Sequence, residues 1–283
     1  MTSACLKDGI SKLLIEKSCA FIQTLDTYTN QSQMIEYSLD DFQWGKDPFY
    51  IRIKNNFFTK EQIILDLDNG LVDIQGNLKN SQYTKLETTC YAPTIMGPFH
   101  YLPFLECNHA IISLRHHITG SLKVNNQKFQ IIGDGYIEKD WGRSFPQDYL
   151  WLQSNSCKEE EASLFLSIAK IPLLACSFQG LIMNLLVDDQ QIRVATYYGA
   201  RVKDMFTREG YHYLIISQHP HTFYLKIKAG HRFELKSPQS GKMNGYVEES
   251  LNALAVLLVY KKNKKVAKFN FINCGFELFG NWL

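Results

Sequence analysis

An all-β architecture, arranged as two abutting barrel-like halves with few short helices, is what this sequence predicts, and three observations carry it. Runs that alternate apolar and polar residues recur along the whole chain, polar turn clusters separate them, and helix-period patterns are scarce. Aromatics reach 13% of 283 residues, with 18 Phe and 15 Tyr, which suits strands or a large apolar cavity.

The elements follow in order. CAFIQTL, FYIRIK, IILDL, LVDIQGNL, HAIISLRHHITGSLKV and KFQIIGDGYIEKDW all show β-rich or alternating character. YLWLQSN, SLFLSIA, FQGLIMNLLV, QIRVATYYGA, YHYLIISQ, TFYLKIKA and FELKS continue the pattern downstream. Asp68-Asn69-Gly70, Val124-Asn125-Asn126-Gln127 and Val187-Asp188-Asp189-Gln190 supply turns between them. Two apolar runs, LLIEKSCAFI and ESLNALAVLLVY, fit helix or strand. The second reads as a hairpin arm, because a polar Lys261–Lys265 tip follows it and then strand-like VAKFNFINCGFEL. The halves divide as residues 1–145 and 146–283, with GRSFPQD, Gly142 to Asp148, as the joint.

Composition removes several function classes. A net charge of +2, with no basic stripe among aromatics, gives no case for nucleic acid. Seven scattered cysteines without a CxxC fit free thiols in a reducing, cytoplasmic setting. The start, MTSACLKDGISK, lacks a signal-peptide layout. The run Ile171–Val187 is too interrupted to span a bilayer, which leaves at most peripheral contact with a membrane. P-loop, GxGxxG, GxSxG and HExxH patterns are all missing. Oligomeric state leaves no mark on the sequence.

The stretch GYIEKDWGRSFP, Gly135 to Pro146, concentrates the chemistry. On a strand, Tyr136, Glu138 and Asp140 share one face, about 6.5–7 Å between alternate residues, and Trp141 takes the other. Carboxylates paired in an apolar setting push one pKa up, which keeps an acid protonated near neutrality. The alternative is that both face solvent and Asp140 stabilises the turn before Gly142 and Arg143. Upstream, Glu106, His109, His116 and His117 could line a polar pocket or be ordinary hydrogen-bonded groups. Their spacing is loose for a metal, so no metal is expected. In YLWLQSN, Tyr149, Trp151, Gln153 and Asn155 alternate on one face as a ligand wall, and Tyr197 of ATYYGA is a further aromatic candidate. Aromatic faces matter where a carbocation forms, since a cation over a ring gains about 0.5–2 kcal/mol.

GYIEKDWGRSFP followed by YLWLQSN resembles the tocopherol cyclase family, whose bacterial members carry very similar strings. CAFIQTLD, the IMGPF–ECNH–IISL block, SIAKIP, ATYYGA, EES and NCGFEL agree in order, so the likeness runs from about Cys19 to Leu278. The resemblance implies a lipocalin-like tandem β-barrel related to carotenoid hydratases. It also implies closure of a chromanol ring from a prenylated benzoquinol, an isomerase or intramolecular-lyase reaction with no cofactor. Asp140 or Glu138 would then be the acid and His109 would handle the phenol proton. Tyr136, Trp141, Arg143, Trp151, Asn155, Glu106, His116 and Tyr197 would contact substrate. A lipocalin-like binder of an apolar isoprenoid or lipid, without turnover, is the second reading, and an assembly role with a filled core is the third. A carboxylate beside an open cavity separates the first from both.

Overall fold

Strands dominate the computed structural model, which describes residues 2–4, 19–103, 105–173 and 176–280. The chain forms two compact units, Met1–Lys85 with Arg115–Ile137, and Leu86–Leu114 with Glu138–Leu283. Residues 86–114 and 138–145 therefore group with the C-terminal part of the chain.

A three-stranded sheet contains β1 (Thr2–Ala4), β2 (Cys19–Asp26) and β3 (Gln31–Ser38). Next come β4 (Phe42–Lys46), β5 (Phe49–Ile53), β6 (Asn56–Thr59), β7 (Gln62–Asp68), β8 (Asp73–Thr84), β9 (Cys107–Val124) and β10 (Gln127–Gly142). They lie in sequential order in a seven-stranded antiparallel sheet. Ile22, Ile53, Leu67 and Ile74 are buried together in the first unit.

The third sheet draws on β11 (Tyr149–Ser154), β12 (Ser156–Cys157), β13 (Ala162–Leu173), β14 (Cys176–Val187), β15 (Gln190–Ala195) and β16 (Arg201–Arg208). Five more strands complete it: β17 (Tyr211–Gln218), β18 (His221–Lys228), β19 (Arg232–Gln239), β20 (Lys242–Lys261) and β21 (Lys264–Phe279). Its path runs β15-β14-β13-β11-β21-β20-β18-β17-β16, with β12 against β21 and β19 against β20. The last strand thus inserts beside β11, far from it in sequence. Neither large sheet closes into a ring among the described residues. Leu150, Leu152, Leu166, Met183, Leu225, Leu257 and Phe271 build the core of the second unit.

The all-β antiparallel class is observed, and helical structure among the described residues is limited to short 3-10 turns at Leu39–Asp41, Gly97–Tyr101 and Thr196–Tyr198. ESLNALAVLLVY is an arm of the β20–β21 hairpin, whose tip holds Lys262 and Asn263 at φ 47° and 63°. Asp188 and Asp189 do the same between β14 and β15, at φ 47° and 63°. Two positive-φ residues match the twist of the flanking strands, and Asn and Asp tolerate that conformation best. Of LLIEKSCAFI, only the part from Cys19 onward is described, as strand; the residues before it, with most of MTSACLKDGISK, lie outside the described residues. Among the described residues no helix is long and apolar enough to cross a membrane. Cys90, Cys107, Cys157 and Cys274 are free thiols.

Candidate functional site

Every residue of β11 is buried, so the strand has packing on both faces. By the period of two, Leu150 and Leu152 enter the apolar core while Tyr149, Trp151 and Gln153 point the other way. Register across the sheet fixes what stands beside them. Trp151 lies opposite Ser167 of β13 and Glu277 of β21, and Glu277 lies opposite Glu249 of β20. On this face opens a cavity of about 140 Å³, within the second unit. Phe99, Ile171, Phe178 and Ile182 supply apolar wall; His109, Glu138, Asp140, Tyr149, Trp151 and Glu277 supply its chemistry. An engineered cavity of about 150 Å³ admits benzene, so there is room here for one ring or one isoprene unit.

His109 is the hub. Its ring stacks on Phe165, centroids 5.0 Å apart and planes at 15°. Nδ1 donates to Asp140 Oδ1 at 2.5 Å, and Nε2 lies 3.4 Å from Glu138 Oε2. The Trp151 indole Nε1–H also donates to Glu138 Oε2, at 3.3 Å. Burial disfavours charge on the imidazole, but Asp140 and then Glu138 outweigh it and hold its pKa at about 9. The imidazole is therefore protonated at neutral pH, clamped between two carboxylates.

Two further carboxyls stand nearby. Tyr149 Oη donates to Glu277 Oε2 at 2.5 Å. Burial, then Glu249, raises Glu277 well above the ordinary carboxyl range. Glu249 is only 4% exposed and its Oε1 has no hydrogen-bond partner among the described residues; burial pushes it up to about 7, with Glu138 acting in the same direction. Tyr149 is likewise raised, by burial first and then by Glu277.

These raised values set a pH dependence. A basic group whose folded pKa exceeds its unfolded value stabilises fully below the unfolded pKa and loses that contribution as pH rises through the folded one. For His109 the window runs from about 6.5 to about 9. Stability should therefore fall between pH 7 and 9, by about 2 kcal/mol from this group. Chemical denaturation at both pH values tests it: the difference between them should shrink in His109→Gln. An unchanged difference would show that the imidazole is not held charged.

The expected site residues divide. His109, Glu138, Asp140, Trp151 and Tyr197 all line the cavity. Tyr197 Oη donates to the Ile95 carbonyl at 2.8 Å, which fixes its ring. Trp141 takes the opposite face of β10, with the Lys139 ammonium 5.3 Å from its ring centre. Arg143 and Glu106 are exposed, joined through the backbone by the Arg143 N–H and the Glu106 carbonyl at 2.7 Å. Asn155 accepts from Gln153 at 2.9 Å and does not line the cavity. Tyr136 and His116 belong to the other unit, where His116 is buried, stacks on Tyr83 and is held neutral by burial, at about 4. Sequence reasoning missed Phe165, Glu249 and Glu277. A signal for the last existed: Glu277 is the one charged residue in the run Cys274–Phe279, CGFELF, at the end of the last strand.

His109, Glu138 and Asp140 could also gather round a cation, with one ligand atom from each within 4.8 Å of the others. A metal would have to displace the imidazole proton first, since histidine ligates through a free lone pair.

Residues 83–170 match the tocopherol cyclase-like family. No curated protein matches the sequence. Among solved structures, a protein assigned as AttH from Nitrosomonas europaea is 7% identical, with a TM-score of 0.51 over 92% of this chain and 80% of that one. Kievitone hydratase from Nectria haematococca is 12% identical, with a TM-score of 0.50 over 93% and 81%. At such identities the likeness concerns the fold alone. The matched segment contains His109, Glu138, Asp140 and Trp151, and over residues 83–170 the chain is similar to the tocopherol cyclase-like family.

Proposed function

We propose that this protein cyclises a prenylated benzoquinol by acid catalysis. A proton adds to the trisubstituted alkene, its π pair forming the new C–H bond. The phenol oxygen then captures the tertiary cation, forming the C–O bond and releasing the phenol proton. One proton enters and one leaves, so the reaction needs no redox partner. The observation that carries this reading is the His109 imidazolium held by Asp140 and Glu138 on the wall of an aromatic-lined cavity.

Each part has a task. Two carboxylates and one imidazolium sum to one negative charge, which lowers the energy of a nearby carbocation. Trp151 adds an aromatic face to the same end, oriented by its bond to Glu138. Asp140, ionised against His109, accepts the phenol proton. The reacting isoprene unit fits the cavity, and the remainder of the substrate extends beyond it. In this assignment the resting proton sits on His109, between the two carboxyls expected to hold it.

The test is incubation with a prenylated hydroquinone in deuterated water. The expected product is a chromanol with one non-exchangeable deuterium on the former alkene carbon. Quinol that binds tightly and is recovered unchanged and unlabelled would instead establish a non-catalytic binder of apolar isoprenoids.

A further inference from the structure

We infer that Glu277 and Glu249 share a proton at neutral pH, and that Glu277 is the group that delivers it into the cavity. This rests on the cyclisation reading for the identity of the acceptor, though not for the protonation itself.

Geometry is the first support. Glu249 and Glu277 are direct partners across the β20–β21 ladder. Side chains so placed have Cβ atoms about 4.5–5.5 Å apart, and like charges there are destabilising. Among the described residues, the groups facing Glu277 offer no relief. Facing Glu277 are Tyr149 from β11, Glu249 from β20, and Glu138 and Asp140 from β10, all neutral or acidic. The cation at this end of the cavity, His109, is already held by Asp140 and Glu138. Two ionised carboxylates side by side, with no further cation facing Glu277 among the described residues, are strongly disfavoured in a buried site, so at least one keeps its proton.

The second support is the division of exposure. Glu249 is 4% exposed, its Oε1 unpartnered among the described residues, whereas Glu277 lines the cavity. Tyr149 donates to Oε2 of Glu277 and so fixes the orientation of that carboxyl. Glu277 is then the member of the pair that a ligand can meet, and Glu249 lies behind it as the partner that suppresses its ionisation. Groups whose surroundings push their pKa values apart divide acid and base roles between them. In the balanced step Glu277 O–H breaks, the alkene gains C–H, and Glu277 becomes a carboxylate. The proton released by the phenol to Asp140 restores the total.

The experiment pairs infrared spectroscopy with turnover on the full chain. At neutral pH the wild type should show the C=O stretch of a protonated carboxyl, and Glu277→Gln should abolish or shift it. Glu277→Gln, which keeps the shape and the Tyr149 contact, should cut turnover at least ~10²-fold with little change in melting temperature. Glu249→Gln removes the repelling neighbour, so the alkaline limb of the pH–rate profile should move to lower pH. Wild-type-like turnover by Glu277→Gln, or no such band in the wild type, overturns the proposal. If the wild type makes no chromanol, the cyclisation reading falls and the band alone decides: present and lost in the variant it upholds the shared proton, absent it sinks it.

Discussion

Asp140→Asn is expected to lower turnover ~10²-fold or more and to lower the melting temperature as well. Both effects come from the 2.5 Å contact with His109. The amide has no negative charge to hold the imidazolium, so the proton affinity of His109 falls. It also has no basic oxygen to accept the phenol proton. The side chain of His109 is 13% exposed and that of Asp140 29% exposed. Breaking a fully buried ion pair costs about 3–5 kcal/mol; partial exposure and a surviving hydrogen bond bring the expectation here to about 2 kcal/mol. A double-mutant cycle with His109→Gln should show the two losses to be strongly non-additive. Additive losses in that cycle, or a variant within a few-fold of wild-type turnover, would remove Asp140 from the mechanism.

The largest loss of stability is expected from Gly142→Ala. Gly142 has φ 155°, and a β-carbon there would sit 2.0 Å from the Glu106 carbonyl oxygen. That carbonyl accepts the N–H groups of Arg143 and Ser144, so it cannot retreat without breaking the turn. Backbone strain of this kind costs about 1–3 kcal/mol by itself, and the clash adds to it, so a loss of about 3 kcal/mol or more is expected. Asp140, two residues earlier, should be misplaced and turnover should fall with stability. Gly133, on the same strand, is the control: a β-carbon there meets nothing within 4 Å. Urea denaturation of the two alanine variants should separate them clearly, and equal midpoints would refute the argument.

How much of this was legible beforehand depends on sequence distance. Alternation placed Glu138 and Asp140 on one face, and Tyr149 with Trp151 on another, because a strand's period is a local property. The polar tip at Lys262-Asn263 made ESLNALAVLLVY a strand for the same local reason. His109 opposite Asp140 needed only the β9–β10 hairpin, whose turn at Asn125 was visible. Glu277 beside Tyr149 spans 128 residues, and no local pattern encodes that pairing. Trp141 was expected as a cavity wall because it stood close in sequence, yet adjacent residues on a strand face opposite sides.

The ladder partnership of Glu249, Glu277, Trp151 and Ser167 has a consequence for how such a protein changes over generations. The four belong to four strands; Trp151, Ser167 and Glu277 reach the cavity, and Glu249 stands beside Glu277, only through their parity of position along their strands. Deleting a single codon between the Lys262-Asn263 tip and Glu277 would invert that parity. Phe276 or Leu278 would then face the cavity and Glu277 the apolar interior. Point substitutions can tune the site in small steps, whereas a length change within these strands abolishes it at once. Natural insertions compatible with the chemistry should therefore collect in the turns and spare the interiors of β11, β13, β20 and β21.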